Sequence, residues 1–474
     1  MVKRHRKNIK KNGSSKRFNE DRARARRINA STEVETCGEQ LSPFGGLLGL
    51  VKFLDLFDFK ENFNAAYIAP SREPKLGHYF MVLGILMLMF IGFNRIWHFV
   101  YIRLDALLCG IMRVRQLPVA GTYWRYLDSM GINQADSILR IMSRLRAQVW
   151  EKCGTNFSRI AVDIDSTVET IYGNQQGGRK GHNPQHRGKK GYRPVLCFIE
   201  QTREYLWGKL RKGETVSGEE TAKMIHAIKD YLPACVKQVL IRADAEFISW
   251  ASVEAALEAG YDFILANKKC EPSFDPAAWY RPWKREALEY NSSYYQPTGW
   301  EQACRFVVMR IAKENESGQQ EQGELFEEDR YTYRIFCTTL NGKPHEVIAT
   351  YDKRADVENL VGEAKREGLD AIPSGKFKNN YAFFQVAMLA YNIWRYFKML
   401  AEKCDNKAKA FAGVIDNTIR IARLKLLMIA AKVVKDGNRD KVKYSTHDAR
   451  TAGLLTFYEF LDQLRLKKRV GCKA

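Results

Sequence analysis

A chain of 474 residues with 45% hydrophobic content is a large globular protein of roughly two to four domains. Lys and Arg number 76 against 54 Asp and Glu, a net charge of +22, which favours a polyanionic partner, nucleic acid before an anionic membrane surface. Ten scattered cysteines without a CxxC pair or a His cluster indicate neither a zinc site nor a disulfide framework, and a basic rather than apolar N-terminus gives no secretory signal, so the expected location is cytoplasmic.

Residues 1–40 read as a basic arm that contacts nucleic acid, with 12 Lys or Arg against 2 acidic residues in the first 27. Residues 41–155 show helical apolar spacing, as in "LLGLVKFLDLF" and "SILRIMSRLRAQVW". Within them "GHYFMVLGILMLMFIGFN" holds a strongly apolar run of about 15 residues, short of the roughly 20 that span a bilayer, so it predicts a buried helix and no membrane partner. In "MRVRQLPVAGTYWRYLDSMG", Pro118 and Gly121 fall between two helical stretches, in the manner of a helix-turn-helix or of any helical hairpin.

Strands begin at "FSRIAVDIDSTVETIYG" and recur at "YRPVLCFIEQ", "EYLWGKLRKG", "VKQVLIRADAEF" and "YDFILANK", with helices at "GEETAKMIHAIKDYLP" and "SWASVEAALEAG". Alternation of this kind predicts an α/β domain over 156–267 with parallel pairing in part of its sheet. Between the first two strands, "GGRKGHNPQHRGKKGYR" reads as a flexible cationic loop, and Arg179, Lys180, Arg187, Lys189, Lys190 and Arg193 suit a DNA backbone. His182 and His186 are separated by Pro184 and make no helical metal pair.

Residues 268–341 predict a mostly β insertion, with strands at "RFVVMRIAKE" and "RYTYRIFCTTL" around the acidic "NESGQQEQGELFEED". Helices return over 342–400, in "YDKRADVENLVGEAK" and "NYAFFQVAMLAYNIWRYFKMLAEK", and the region 401–474 is expected to be helical, including "NTIRIARLKLLMIAAKVVKDG".

Asp163 and Asp165 lie two apart on a strand and so point to one face, where burial without a partner would be expensive; a metal ion, a solvated strand end and a turn cap are all open for them. Asp244 ends an apolar strand, the place where ligands collect in α/β sheets, but an Asp there also suits the N-cap of the next helix. On a single helical wheel centred on Arg354, Lys365 falls near 20°, Glu358 near 40° and Tyr351 near 60°, a narrow stripe beside the core-facing side. An Arg354–Glu358 surface ion pair explains two of these four residues. A site in which Asp165, Asp244 and Glu358 offer hard oxygens to Mg²⁺, or to Mn²⁺ in its place, while Tyr351, Arg354 and Lys365 hold phosphates, explains them all.

These residues resemble the motifs of DDE transposases of the bacterial IS4-like superfamily, most closely the IS1380 family. Tyr351, Arg354, Glu358 and Lys365 match that superfamily's Tyr-(2)-Arg-(3)-Glu-(6)-Lys signature; "DIDSTVETIYGNQQG" resembles its first-acid motif, with Asp165 before Ser166 and Thr167, and "IRADAEFIS" its second, with Asp244. The resemblance implies a ribonuclease-H-like catalytic core over 156–267 and 342–400, a β-rich insertion over 268–341, a DNA-binding and assembly region over 41–155 and helices at both ends. It also implies catalytic, metal-holding roles for Asp165, Asp244 and Glu358 in cutting and joining double-stranded DNA at element ends and target, by a homodimer in a bacterial cytoplasm, associated with the nucleoid when bound to DNA. Trp279, Trp283 and Trp300 of the insertion are candidates to stack on a flipped base. A transposase-derived DNA-binding protein without activity, and a ribonuclease-H-like nuclease of another substrate, are the alternatives; intact acids and the four-residue signature disfavour them.

Overall fold

Leu41–Ser42 forms the first short strand, β1; the larger architecture begins with β2, Arg159–Ser166, whose side chains alternate between two packed faces. A computed structural model describes residues 25–181, 183, 186–283, 287–312, 331–404 and 411–471. The expected basic arm is thus described only over 25–40, all of it exposed, and residues 1–39 are a unit apart from the rest; His182, Pro184, most of the acidic insertion linker and the last three residues lie outside the described set.

After β2 come β3 (Glu169–Thr170), β4 (Arg179–Lys180), β5 (Lys190–Tyr192), β6 (Val195–Ile199), β7 (Glu204–Lys209), β8 (Gln238–Ala243) and β9 (Asp262–Asn267). The insertion adds β10 (Leu288–Tyr295), β11 (Cys304–Ala312) and β12 (Tyr331–Thr338). The C-terminal region adds β13 (Ala431–Asp436) and β14 (Arg439–Tyr444).

Eight of these strands form one mixed sheet in the order β10-β11-β12-β9-β8-β2-β6-β7. β2, β8 and β9 are parallel and the remaining pairs are antiparallel. The strands expected in the insertion are present, with β10 in addition, and they continue the sheet of β2, β8 and β9 through the β12–β9 pairing.

Ile160, Val162 and Ile164 of β2 face a core closed by the helices Gly218–Ala227 and Trp250–Glu258. Ala161 faces the other way, into a core shared with Val347, Ile348 and Tyr351 of the helix Pro344–Asp352. Over β6 and β7 that second face is covered by the helix Phe377–Lys403, which is buried almost all round and packs on the helices Ile132–Cys153 and His78–Phe90. Buried Glu204 of β7 joins these layers, accepting from Arg146 Nε at 2.7 Å, from Trp150 Nε1 at 2.8 Å and from the Tyr396 hydroxyl. The apolar stretch expected to be internal is so: ten residues of His78–Phe90 are buried, and no helix among the described residues is long and apolar enough to cross a membrane.

Three expectations change. The cationic loop between the first two strands is in part a small sheet, β3-β5-β4, because antiparallel pairing satisfies backbone groups that a free loop leaves to water. In "NTIRIARLKLLMIAAKVVKDG" the helix stops at Leu426 and the remainder becomes β13, turning at Gly437 into β14, so the C-terminal region is helical only in part. Gly121 does not sit in a turn: it belongs to the helix Ala120–Ser129, and only Pro118 lies in the connection from the helix Ala106–Met112.

Candidate active site

The register of β2 and β8 builds the centre of the site. Asp163 stands beside Arg242 and Ile164 beside Ala243, so Asp165 and Asp244 follow side by side at the carboxyl ends of two adjacent parallel strands. That edge of an α/β sheet is where loops leave the strands and side chains converge on a ligand.

Asp163 and Asp165 share a face but not a role. Arg242, wholly buried, donates from Nε and Nη2 to the two carboxylate oxygens of Asp163 at 2.6 and 2.8 Å. Its Nη2 also lies 3.0 Å from Glu200, and its Nη1 donates to the Thr350 carbonyl at 2.8 Å. Asp163 is therefore a saturated structural ion pair. Asp165 accepts a hydrogen bond from Arg354 Nη2 at 2.9 Å, and the same nitrogen donates to the Ile164 carbonyl at 3.2 Å. Burial pushes the Asp165 carboxyl up to about 6; Arg354 opposes that rise, while the charges of Asp244 and Glu358 add to it. The repulsion felt at Asp165 from both other acids marks the three as one electrostatic cluster.

Asp244 is exposed and lies in the turn after β8. It does not cap the following helix: Ser249 does, its hydroxyl accepting from the Ser252 backbone N–H at 3.2 Å. Glu358 is also exposed, in the first turn of the helix Asp356–Ala364. Arg203 Nη2 donates to Asp356 at 2.7 Å, which ties that helix start to the turn between β6 and β7.

The segment carrying Tyr351, Arg354, Glu358 and Lys365 is not one straight α-helix. It runs as Pro344–Asp352, a tighter turn at Lys353–Ala355, Asp356–Ala364, and a widened turn at Lys365–Leu369 that contains Gly368 at φ 135°. These breaks rotate the side chains away from the wheel positions expected of a continuous helix. Tyr351 is buried against Phe336, with ring centroids 4.5 Å apart, and Arg354 is turned to Asp165 rather than to Glu358. Lys365 Nζ donates to the Val168 carbonyl at 2.8 Å. Glu358 is the member of the four left facing solvent as a carboxylate.

Two acids escaped the sequence reading. Glu246, two residues after Asp244, accepts from the Ser166 hydroxyl at 2.7 Å and from Arg193 at 2.9 Å, with the Val216 N–H at 3.3 Å on its other oxygen. It thereby joins the residue after Asp165 to the turn that carries Asp244; the only signal in the sequence is its spacing in "DAEF". Glu169 of β3 is buried with one oxygen unpartnered, and burial first, then Asp370, raises its carboxyl well above the usual range against the pull of Lys365.

Of the cationic set, Arg179 pairs with Glu214 at 2.5 Å, and Arg179, Lys180, Arg187, Lys189 and Lys190 are all exposed. The insertion tryptophans differ among themselves. Arg310 stacks on Trp279 at 3.8 Å, and Trp300 packs between Trp250 and Phe306. Trp283 is 49% exposed with its ring near His345.

Three carboxylates are the kind of donor a hard divalent cation takes, and the Asp165 carboxyl, raised first by burial, has Arg354 as its ion-pair partner. They are not drawn into a closed cage: among the described residues no group of three or more His, Cys, Asp or Glu is placed to hold a metal ion.

Comparison with curated proteins finds no match. Among solved structures, the chain is similar to a piggyBac transposase in a synaptic complex with hairpin DNA, at 9% identity and a TM-score of 0.37, over 90% of this chain and 81% of that one. It is also similar to the Mos1 transposase in a paired-end complex with the left transposon end, at 10% identity and a TM-score of 0.17, over 41% of this chain and 60% of that one. The family model described as "Transposase DDE domain group 1" matches residues 25–466, and the chain belongs to that family.

Proposed function

We propose that this chain is a DNA transposase of the IS1380 type within the IS4-like superfamily, which binds the terminal inverted repeats of an insertion sequence, cuts there and joins the freed 3′-hydroxyls to target DNA. The observation that supports the reading is the β2–β8 register, whose last pair, Ile164 and Ala243, is followed on the two chains by Asp165 and Asp244. In this proposal the ribonuclease-H-like core spans 156–267 and 342–400, the insertion 268–341 extends its sheet, and 1–40 and 41–155 contact DNA and assemble a homodimer.

Asp165, Asp244 and Glu358 would hold Mg²⁺ or Mn²⁺, which when bound activates the attacking oxygen and stabilises the leaving one. The chain's own residues prepare that site. Arg354 keeps the half-buried Asp165 carboxyl from rising further, so that it ionises within reach of neutral pH. Glu246 fixes Ser166, and with it the backbone on which Asp165 stands, while Arg203 anchors Asp356 two residues before Glu358. Lys180, Arg187, Lys189 and Lys190, exposed in the segment that follows β2 in the chain, together with Arg179, would bind phosphates and offset the repulsion of DNA by the acids. Tyr351, Arg354 and Lys365 would act from beneath, setting the position of the third acid and of the backbone at Val168.

The test is divalent-metal-dependent cleavage of a duplex carrying the inverted repeats that flank the coding sequence. Asp165→Asn, Asp244→Asn and Glu358→Gln are each expected to lose about three orders of magnitude or more in cleavage, several kcal/mol of barrier, while still binding the duplex. Retained cleavage in any of them removes that residue from the site. Equal cleavage of RNA or branched junctions, with no preference for the element ends, would replace the transposase reading by that of another nuclease.

A further inference from the structure

The segment that follows the helix His78–Phe90 is apolar on two sides. A tight turn of helix, Ile96–His98, runs into the helix Phe99–Ile102, and Ile96, Phe99 and Ile102 are buried in the core. Trp97, Val100 and Tyr101, continued by Leu104 in the turn after the helix, recur at the i, i+3, i+4, i+7 spacing of a buried helix face, yet they are 45%, 66%, 68% and 75% exposed. The rings of Trp97 and Tyr101 lie edge to face with centroids 5.7 Å apart. The stripe is held rigidly from behind. Phe99 stacks on Tyr123 at 4.0 Å, the Leu117 N–H donates to the Arg103 carbonyl at 2.9 Å, and Arg103 Nε donates to the Leu117 carbonyl at 3.2 Å. Val119 and Trp124, also exposed, stand on the segment attached by these contacts.

Single exposed apolar side chains are ordinary, but a helix that is apolar all round belongs inside something. The four stripe residues together expose the equivalent of about two and a half whole side chains, roughly 500 Å² at about 200 Å² each, where a monomer seldom shows more than a few hundred in one patch. Set against itself across a two-fold axis, the stripe alone buries roughly 1,000 Å², the lower bound of a specific interface, and Val119, Trp124 and a polar rim bring it towards the usual size of about 1,600 Å². Duplex DNA does not suit the stripe, because its phosphates would lose water against Val100 and Leu104 and gain no donor from either. Residues 1–24 do not suit it either: Met1, Val2, Ile9 and Phe18 are their only large apolar side chains.

We infer that Trp97, Val100, Tyr101 and Leu104 form the centre of a two-fold interface through which this chain pairs with a second copy of itself. The inference rests on the assembly proposed above in taking the partner as a second copy, and it names the surface of that assembly. Its rim is cationic on both copies: Arg95 and Arg125 are exposed, and no acid occurs from residue 74 to residue 104. Association is therefore expected to tighten as salt screens the repulsion between the rims, the opposite of binding to DNA.

The test is sedimentation of the full chain without DNA, from about 1 to about 50 µM and from about 0.05 to about 0.5 M salt. The parent is expected to sediment at twice the chain mass at the upper concentrations, with a dimer that tightens as salt rises. Combined Val100→Lys and Leu104→Lys adds two charges of the rim's own sign and is expected to weaken the dimer by about a hundredfold or more, with the helical circular dichroism unchanged and binding to duplex DNA not weakened; Tyr101→Ala alone is expected to weaken it about tenfold. A parent that stays monomeric throughout overturns the interface, as does a double variant as dimeric as the parent, or a dimer that dissociates as salt rises. Loss of DNA binding with the dimer intact makes the stripe a DNA contact and overturns it too, and Tyr101→Ala without effect on association counts against it even where the double variant does not fold. A dimeric parent that cuts no duplex strikes the proposed function and leaves the interface standing, whereas undiminished cleavage by the monomeric double variant leaves the surface standing and removes the homodimer from the proposed function.

Discussion

Asp163 and Asp165 are the same residue type on the same strand and face, two positions apart, and they meet opposite fates. Asp163 is closed off by a bidentate arginine that is itself satisfied by Glu200 and the Thr350 carbonyl. Asp165 has one ion pair, to Arg354, and its carboxyl is pushed up first by burial and then by two further carboxylates, so its charged form is under-compensated. A saturated acid holds the sheet together, whereas an under-compensated one at a strand end holds free energy that a cation can release.

The largest effect expected from breaking this contrast lies at the closed acid. Arg242→Leu strands Asp163 and should lower stability by about 3–5 kcal/mol, read by urea unfolding; a loss below about 1 kcal/mol would mean that Asp163 is no more committed than Asp165. Next comes the open acid. A carboxyl whose folded pKa is raised favours the fold while protonated, fully so below its ordinary value of 3.8, and loses that contribution as pH climbs through about 6. In chelator, Asp165→Asn should therefore be more stable than the parent by about 1–2 kcal/mol near pH 8, with the gap closing in acid. A constant gap across pH would show that Asp165 is not the strained group. Removing the counter-charge sharpens the point further: Arg354→Ala should move the acid limb of divalent-metal binding upward by about a unit, and an unmoved limb would take Arg354 out of the control of Asp165. The smallest effect belongs to the exposed Arg179–Glu214 pair, where Glu214→Ala should change stability by less than about 0.5 kcal/mol.

The strands β2, β6, β7, β8, β9, β11 and β12 and the long helices were legible because alternating or helical apolar spacing records which face is buried. The position of Asp244 at a strand end was legible for the same reason. The division of labour between Asp163 and Asp165 was not, because it depends on Arg242 and Arg354, about 80 and 190 residues away in the chain. The wheel that grouped Tyr351, Arg354, Glu358 and Lys365 assumed uniform helix, and the breaks at Lys353–Ala355 and Lys365–Leu369 leave no trace in periodicity. β13 was hidden by its continuity with the apolar helix before it, although the Asp436–Gly437 dipeptide is a hairpin signal.

Because β12 pairs with β9, the insertion strands and the strands bearing Asp165 and Asp244 are one hydrogen-bonded fabric. β10 is connected to β2 through an unbroken series of paired strands, β11, β12, β9 and β8. Excising the insertion would not trim an appendage; it would bare β9 as a raw edge next to β8, the strand that leads into Asp244, open to pairing with any other chain.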